Sequence, residues 1–236
     1  MTTPPSALVA DQLAQAELFD GLASEVLAEI AQLGEVQSLP RGTRLFAQGA
    51  TVERCHALVT GCVRIAQSGS EGGQVVVRFV GPGEIFGTVA LFTDRHYPAD
   101  ATAVIDSVEI SWAEAAFLDL IQRYPPIALN LVKIIGKRLR EVQERLREIA
   151  TQRVDQRIAH ALLRLADRGV SSGNDNARIE FPLTRQDVAA MCGATLYTVS
   201  RVLRAWEKAG YLSSRRAGVS ICKISELRRI AGRPAP

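Results

Sequence analysis

The arrangement of apolar and polar residues changes character along the chain. Between residues 7 and 33, apolar side chains recur at helical spacing, which predicts a helical opening. After Pro40, short apolar runs alternate with glycine-containing turns, and the runs TVALFTD, ATAVIDS and VEISWAE continue this pattern. Many short strands at regular spacing are typical of a small antiparallel barrel or sandwich, so we place a β domain at about 35–115.

A second helical pattern begins near Ala113, breaks at Tyr124-Pro125-Pro126 and then runs to about Thr151. Proline suits the first turn of a new helix, because the N–H that it lacks would have no partner there. A narrow apolar stripe with 3-4-3-4-3 spacing fits a single partner helix, and we expect a dimer seam. The alternative is a helix that packs on its own β domain. The stripe consists of Val132, Ile135, Leu139, Val142, Leu146 and Ile149.

The last third of the chain predicts shorter elements. An apolar helix is expected at Ile158–Asp167, and Gly193 separates two further helices. A hairpin follows, and Ser225 is expected to cap a final short helix. The two helices around Gly193 are predicted at Thr184–Cys192 and Thr195–Lys208, and the hairpin strands at Tyr211–Ser214 and Val219–Ile224.

Composition narrows the class of protein. The chain has 236 residues, of which 47% are apolar and 22% charged, which suffices for a packed core and argues against disorder. No apolar run approaches the ~18 residues of a membrane span, and no basic residue precedes a hydrophobic stretch at the N-terminus. We therefore expect a soluble, cytoplasmic protein with no membrane partner. The four cysteines form no C-x-x-C pair, so neither a zinc module nor a disulfide framework is indicated.

Charge is distributed unevenly along the chain. Residues 1–150 hold 13 Lys+Arg and 18 Asp+Glu, a net −5, whereas residues 151–236 hold 15 and 7, a net +8. A basic stretch taken alone is most often a solvated surface. A change of sign between the two parts favours contact of the second part with nucleic acid or a membrane surface.

Residues 184–212 carry the strongest chemical signal. Two short helices joined by a tight glycine turn are typical of a helix-turn-helix, with a plain helical hairpin as the alternative. Gly193 stands where a left-handed turn residue is needed, Ala189 is small where the helices approach, and the second helix carries Arg201 and Arg204. The hairpin that follows fits a DNA-binding wing whose tip reaches phosphate. The predicted inward positions are Val188, Ala189, Cys192, Val199, Val202 and Leu203.

These features resemble the Crp/Fnr family of transcription regulators over nearly the whole chain. The resemblance implies an α+β fold, with an N-terminal antiparallel β-roll (double-stranded β-helix), a long dimerisation helix and a C-terminal winged helix-turn-helix. It also implies three partners: a double-stranded DNA operator, a second copy of the chain, and RNA polymerase. The implied domains are 1–124 for the N-terminal helices and sensory β-roll, 125–152 for the dimerisation helix and 153–236 for DNA binding. The resemblance is carried by Gly42, Gly49, Gly61 and Gly87, by GEIFGTVALF at 83–92, by the stripe helix, and by LTRQDVAAMCGATLYTVSRVL at 183–203.

Matching positions imply roles in DNA binding. Arg201 matches the family's base-reading arginine, whose fork suits guanine O6 and N7. Tyr197 replaces the usual glutamate, so the family's usual half-site is not expected. Leu196 and Ser200 complete the expected base-reading set. Phosphate contacts, which fix register without reading sequence, are implied for Thr184, Arg185, Gln186, Thr195, Thr198, Arg215 and Arg216.

The effector site implied by the resemblance departs from that of the cyclic-AMP binders. Thr88 follows Gly87 at the position where those binders hold the ribose with glutamate. Pro98 and Ala99 replace the Arg-Ser pair that holds the cyclic phosphate. Because a phosphate without arginine lacks its main charge-assisted partner, cyclic AMP is not expected.

Other effectors are left open by the sequence. Val142 and Gln143 align with the threonine-serine pair that receives adenine, and residues 1–34 lack the cysteines of an iron–sulfur centre. Three possibilities remain for the effector: haem, another small molecule, or no ligand. His96, beside the inferred pocket, is the best axial-ligand candidate, with an exposed loop histidine as the alternative, while His56 fits a packed core position. The layout is also similar to the nitric-oxide-responsive denitrification branch, which lacks the cysteine cluster.

Three classes of function compete. The helix-turn-helix favours a homodimeric DNA-binding regulator that couples a signal sensed in the β-roll to promoter binding. The alternative is a cyclic-nucleotide-binding regulatory protein without a DNA-binding role. An enzyme is not expected, because the chain has no G-x-S-x-G, H-E-x-x-H or Walker pattern. The segment GPGEIFG at 81–87 has the wrong spacing for a dinucleotide loop, and Pro82 removes a backbone donor.

Overall fold

The computed structural model describes residues 6–70, 72–167, 175–215 and 218–232. The chain forms two compact units, Met1–Glu141 and Val142–Pro236. The first unit opens with helices α1 (Ser6–Leu13) and α2 (Ser24–Leu33), separated by a 3₁₀ turn at Glu17–Phe19. The predicted helical opening is confirmed, as two helices and a turn.

Two four-stranded sheets follow and together make the β-roll. One sheet has the strand order β1-β8-β3-β6 and the other β2-β7-β4-β5, and every strand pair is antiparallel. The strands fall inside the predicted interval of about 35–115. They are β1 (Glu35–Leu39), β2 (Arg44–Phe46), β3 (Arg54–Thr60), β4 (Val63–Ser68), β5 (Gln74–Val80), β6 (Ile85–Phe86), β7 (Asp100–Ala103) and β8 (Ser107–Ala113).

The run TVALFTD differs from the strand that its apolar content suggested. Val89–Phe92 is a 3₁₀ turn in which Ala90 is buried, while Val89 and Phe92 are 44% and 51% exposed. Positions three apart therefore share the outer side, as a 3₁₀ turn requires.

Strand β3 shows how the roll divides its two faces. Cys55, Ala57 and Val59 belong to the apolar core that packs against the helices, together with Trp112 of β8. Leu58, between them, belongs to the separate cluster inside the roll. This alternation follows from the two-residue period of a strand.

Two helices complete the first unit. Helix α3 spans Glu114–Arg123 and α4 spans Pro125–Thr151, so the predicted break at the prolines and the predicted end near Thr151 are confirmed. Ile127, Leu131 and Ile134 of α4 lie in the core of the first unit. The six stripe residues lie on another face and are all exposed, from 40% at Ile135 to 67% at Val132 and Leu146. The boundary between the two compact units falls within α4.

The second unit is a winged-helix arrangement. Its three-stranded antiparallel sheet has the order β10-β11-β9. The sequence did not predict β9, and α5 begins before the predicted Ile158. The elements after α4 are α5 (Val154–Ala166), β9 (Ala177–Ile179), α6 (Arg185–Cys192), α7 (Leu196–Lys208), β10 (Leu212–Arg215), β11 (Gly218–Ile221) and α8 (Ile224–Ile230).

The predictions for Ile224 and Ser225 are wrong. The second wing strand ends at Ile221, and Ile224 is already the first residue of α8. Ser225 lies inside that helix rather than at its cap. Its backbone N–H and its hydroxyl both donate to the carboxylate of Asp175, each at 2.7 Å, so the serine anchors the helix to the segment before β9.

Candidate nucleic-acid interface

Helices α6 and α7 meet at the turn predicted for a helix-turn-helix. Gly193 has φ 58° and ψ 46°, the left-handed conformation that glycine adopts at little cost, and its N–H donates to the carbonyl of Ala189. The small side chain of Ala189 is buried beneath the turn. Val202 is half-buried. The other predicted inward residues are buried: Val188, Ala189, Cys192, Val199 and Leu203.

Thr184 is the N-cap of α6 and forms a capping box with Asp187. The Thr184 hydroxyl accepts from the Asp187 N–H at 3.0 Å and donates to the Asp187 carboxylate at 2.6 Å. The same carboxylate accepts from the Thr184 N–H at 3.0 Å. The hydroxyl proton is therefore engaged within the cap, and the donors that the helix start offers outward are the unpaired first-turn amides.

Thr195 caps α7 in a similar way. Its hydroxyl oxygen accepts from the Thr198 N–H at 3.2 Å and lies 2.9 Å from the Thr198 hydroxyl. The two hydroxyls share one hydrogen bond, so one hydroxyl proton of the pair stays available for an outside acceptor.

The outer face of α7 carries four exposed side chains. Tyr197 is 76% exposed, and Arg201, Arg204 and Lys208 follow it at helical spacing, all exposed. Within the described part of the chain, none of these four side chains forms a hydrogen bond or an ion pair. Leu196 is 47% exposed at the start of the helix, beside this face. Lys208 was not among the residues predicted to contact DNA, although the sequence shows its helical spacing from Arg201 and Arg204.

The remaining residues predicted to contact DNA differ in exposure and in their hydrogen-bond partners. Arg185 lies 3.4 Å from the carboxylate of Glu207 on α7, which joins the two helices. Gln186 is exposed, and Ser200 is half-buried. Arg215 ends strand β10, but its side chain lies outside the described part of the structure, as does all of Arg216.

The interior of the β-roll holds a cluster of rings and a buried histidine–glutamate pair. His56 Nδ1 lies 2.8 Å from the carboxylate of Glu109, and both residues are buried. The imidazole stacks on Phe86 at 5.2 Å between centroids, and Phe46 stacks on Tyr97 at 3.8 Å. The expectation that His56 is a packed core residue is confirmed. The pairing with Glu109 was missed, although Glu109 and Ser111 alternate with the helix-facing Ile110 and Trp112 of β8.

Gly87, the first of the predicted effector residues, lies against this cluster of rings. A side chain at Gly87 would meet His56 at 3.1 Å, Tyr97 at 3.3 Å and Phe46 at 3.5 Å, so rings fill the space beside that glycine.

The other predicted effector residues differ in burial and in the polar groups that they offer. Thr88 is 1% exposed, and its hydroxyl has no hydrogen-bond partner among the described residues. Ala99 is buried and supplies no donor side chain, and the exposed Pro98 accepts from Gln67 through its carbonyl. Val142 and Gln143 are exposed positions of α4, in the second unit.

His96 is an exposed loop residue. Its Nδ1 lies 2.8 Å from the carbonyl of Asp94, so that nitrogen donates within the loop. Among the described residues, no group of three His, Cys, Asp or Glu side chains is placed to bind a metal ion. Burial raises the pKa of the Cys192 thiol to about 12 and raises that of Cys55 further, so both thiols stay protonated. No helix within the described ranges combines the length and apolarity that would carry it across a bilayer.

A winged helix-turn-helix with an exposed basic face on its second helix defines a DNA-binding protein. Family models agree with both parts of the chain. The Crp-like helix-turn-helix domain matches residues 156–230, and the cyclic nucleotide-binding domain matches residues 36–124. The chain belongs to the Crp/Fnr family of transcription regulators.

Two relatives are similar to this chain over nearly its full length. A CRP-like cAMP-activated global transcriptional regulator of Mycobacterium tuberculosis is 27% identical over 94% of this chain and 97% of its own. The cyclic AMP receptor protein of Thermus thermophilus is 29% identical over 91% of this chain and 96% of its own.

Among solved structures, FixK2 from Bradyrhizobium japonicum superimposes with a TM-score of 0.73 at 22% identity, covering 86% of this chain and 98% of that one, which supports the fold. The relatives are transcription regulators, as expected here, and not enzymes.

Proposed function

We propose that the chain acts as a homodimer that binds a two-fold symmetric DNA operator and regulates transcription there. The stripe on α4 supports the dimer, because six large apolar side chains at heptad spacing are exposed, whereas the side chains that α4 buries in the first unit lie on another face. In this assignment residues 1–124 form the sensory domain, 125–152 the dimerisation helix and 153–236 the DNA-binding domain. RNA polymerase is the further partner, and the cytoplasm is the compartment where the operator is found.

We base the assignment of base-reading residues on the exposed outer face of α7. Arg201 lies one helical turn after Tyr197 and has no acceptor among the described residues, so its guanidinium is available for a guanine edge. Tyr197 offers a ring for a thymine methyl and a hydroxyl that donates. Leu196 and Ser200 flank the pair and complete the surface that faces the bases.

The phosphate contacts follow from the helix starts. At α6, the first-turn amides of Arg185 and Gln186 bind phosphate, and Thr184 orders them as the N-cap. Arg185 adds a charged side chain that is shared with Glu207. Thr195 and Thr198 donate their remaining hydroxyl proton, and Arg215 and Arg216 act from the wing.

For the effector, we propose that the β-roll does not take cyclic AMP. Relatives are named for cyclic AMP, but Pro98 and Ala99 stand where the resemblance implies the Arg-Ser pair, so the charge-assisted donor that its phosphate requires is missing.

A gel-shift experiment tests the DNA-binding assignment. An operator is first isolated from genomic fragments, and affinity for it and for random DNA is then measured at two salt concentrations. Phosphate-driven binding weakens steeply with salt, whereas base contacts separate the operator from random DNA. Arg201→Ala is compared with Arg185→Ala, and Arg41→Ala removes the same charge from an exposed position of the first unit as the matched control.

The expected results differ between the variants. Arg201→Ala weakens operator binding by about 1–3 kcal/mol and random binding little, because a bidentate base contact is lost. Arg185→Ala weakens both alike, and Arg41→Ala changes neither. An equal loss on operator and random DNA for Arg201→Ala would show that this arginine contacts only the backbone.

A further inference from the structure

Helix α5 directs two arginines toward the end of α4. Arg164 Nη1 donates to the Glu148 carboxylate at 2.6 Å, and Glu148 is 3% exposed. Seven residues earlier on the same helix face, Arg157 is half-buried. Glu148, Arg157 and Arg164 all belong to the second compact unit.

The Arg157 side chain joins two helix ends. Its Nη1 donates to the carbonyl of Gln152 at 3.0 Å, immediately after the last residue of α4. Its Nε donates to the carbonyl of Cys192 at 3.0 Å and its Nη2 lies 3.4 Å from that of Gly193, at the end of α6 and in the helix-turn-helix turn. In return, the Cys192 thiol donates to the Arg157 carbonyl at 3.6 Å.

The chemistry of helix ends explains why an arginine occupies this place. The last carbonyls of a helix have no intrahelical donor and carry the negative end of the helix dipole. A guanidinium presents several donors in a fixed plane, so one side chain satisfies carbonyls from both α4 and the turn. A lysine keeps the charge but cannot hold three carbonyls in that geometry.

We propose that Arg157 is a positioning residue that fixes the recognition helix α7 relative to the end of α4 and thereby sets the spacing between operator half-sites. This inference rests on the proposed homodimer. In a dimer held by α4, the direction in which each helix-turn-helix leaves that helix determines the separation of the two recognition helices. Bound half-sites lie about one turn of DNA apart, or 10–10.5 bp, so a fixed joint selects one spacing.

The test uses the full-length protein and a set of operators that differ by one base pair inserted or deleted between the half-sites. Wild type is compared with Arg157→Lys and Arg157→Gln. Arg153→Lys is the matched control, because Arg153 immediately precedes α5, four residues before Arg157, and its side chain is 85% exposed and lies 3.5 Å from Asp155. Sedimentation gives the oligomeric state, and all binding is measured well below the unfolding midpoint of every variant.

Wild type and Arg153→Lys are expected to prefer one spacing by about tenfold or more, equivalent to about 1.4 kcal/mol. In Arg157→Lys and Arg157→Gln, affinity for the best operator falls and the preference between spacings is largely lost, while random DNA binding and its salt dependence stay unchanged. A merely structural role would lower the unfolding midpoint and leave the preference intact, and that result overturns the inference. If wild type sediments as a monomer, the proposed dimer itself fails, which is a distinguishable outcome.

Discussion

The guanidinium of Arg164 pairs with the carboxylate of Glu148 at 2.6 Å, and this links helix α5 to the last two turns of α4. The carboxylate side chain is 4% exposed, whereas the guanidinium side chain is 18% exposed. Water hardly solvates a carboxylate that is so deeply buried, so its charge depends on neighbouring protein donors such as Arg164. The joint between α4 and the DNA-binding domain therefore depends on a polar contact as well as on apolar packing.

Removing one member of this pair is expected to destabilise the second unit strongly. Glu148→Ala leaves the Arg164 charge partly buried without its partner, so the free energy of unfolding should fall by about 3–5 kcal/mol. Denaturant unfolding measures the change. Glu226→Ala is the control, since it breaks the exposed Glu226–Arg229 pair and should cost about 0–1 kcal/mol. Equal, small effects of the two substitutions would show that the buried pair does not hold the joint.

Charged residues in the stripe of α4 are expected to produce monomers. Leu139→Glu combined with Leu146→Glu places carboxylates on a seam that is 57% and 67% exposed at these positions in the single chain. Burying those charges against a second helix would be costly, so sedimentation should show a monomer with weak operator binding. Glu144→Lys changes charge on the far side of the helix and should leave the dimer intact. An unchanged dimer in the double variant would show that the stripe of α4 is not the dimer interface.

Calorimetry is expected to show no binding of cyclic AMP at micromolar concentrations. The physical reason is the absence of a guanidinium at Pro98 and Ala99, which leaves the cyclic phosphate without its charge-assisted partner. The cyclic AMP receptor protein of Thermus thermophilus provides the positive control. Micromolar binding would mean that other groups in the roll hold the phosphate.

The features that the sequence predicted well depend on the spacing of residues that are close together along the chain. The stripe on α4 follows a period that repeats within one helix, and the helix-turn-helix is marked by Gly193 between two short amphipathic helices. Each depends on residues close together along the chain, so pattern alone suffices. The break before Pro125 has a similarly local cause.

The features that the sequence missed depend on partners far apart in the chain. Strand β9 has only three residues and exists through pairing with β11, about forty positions later. His56 meets Glu109 because of the register between β3 and β8. Arg157 binds backbone carbonyls, and these leave no side-chain signature in the sequence. Ser225 was assigned to a cap because its partner Asp175 lies before β9 and was not recognised.

Binding-site selection on wild type and Tyr197→Glu tests the claim that the exposed face of α7 reads DNA bases. Tyr197 is 76% exposed, one turn before Arg201, so its replacement alters a base contact without disturbing the packed side of the helix. A carboxylate accepts from a cytosine amino group, whereas the tyrosine ring packs on a thymine methyl or donates through its hydroxyl. The selected motif should therefore change at one position of each half-site and stay the same elsewhere. Identical motifs from the two proteins would contradict the claim, because they would show that position 197 does not face the bases.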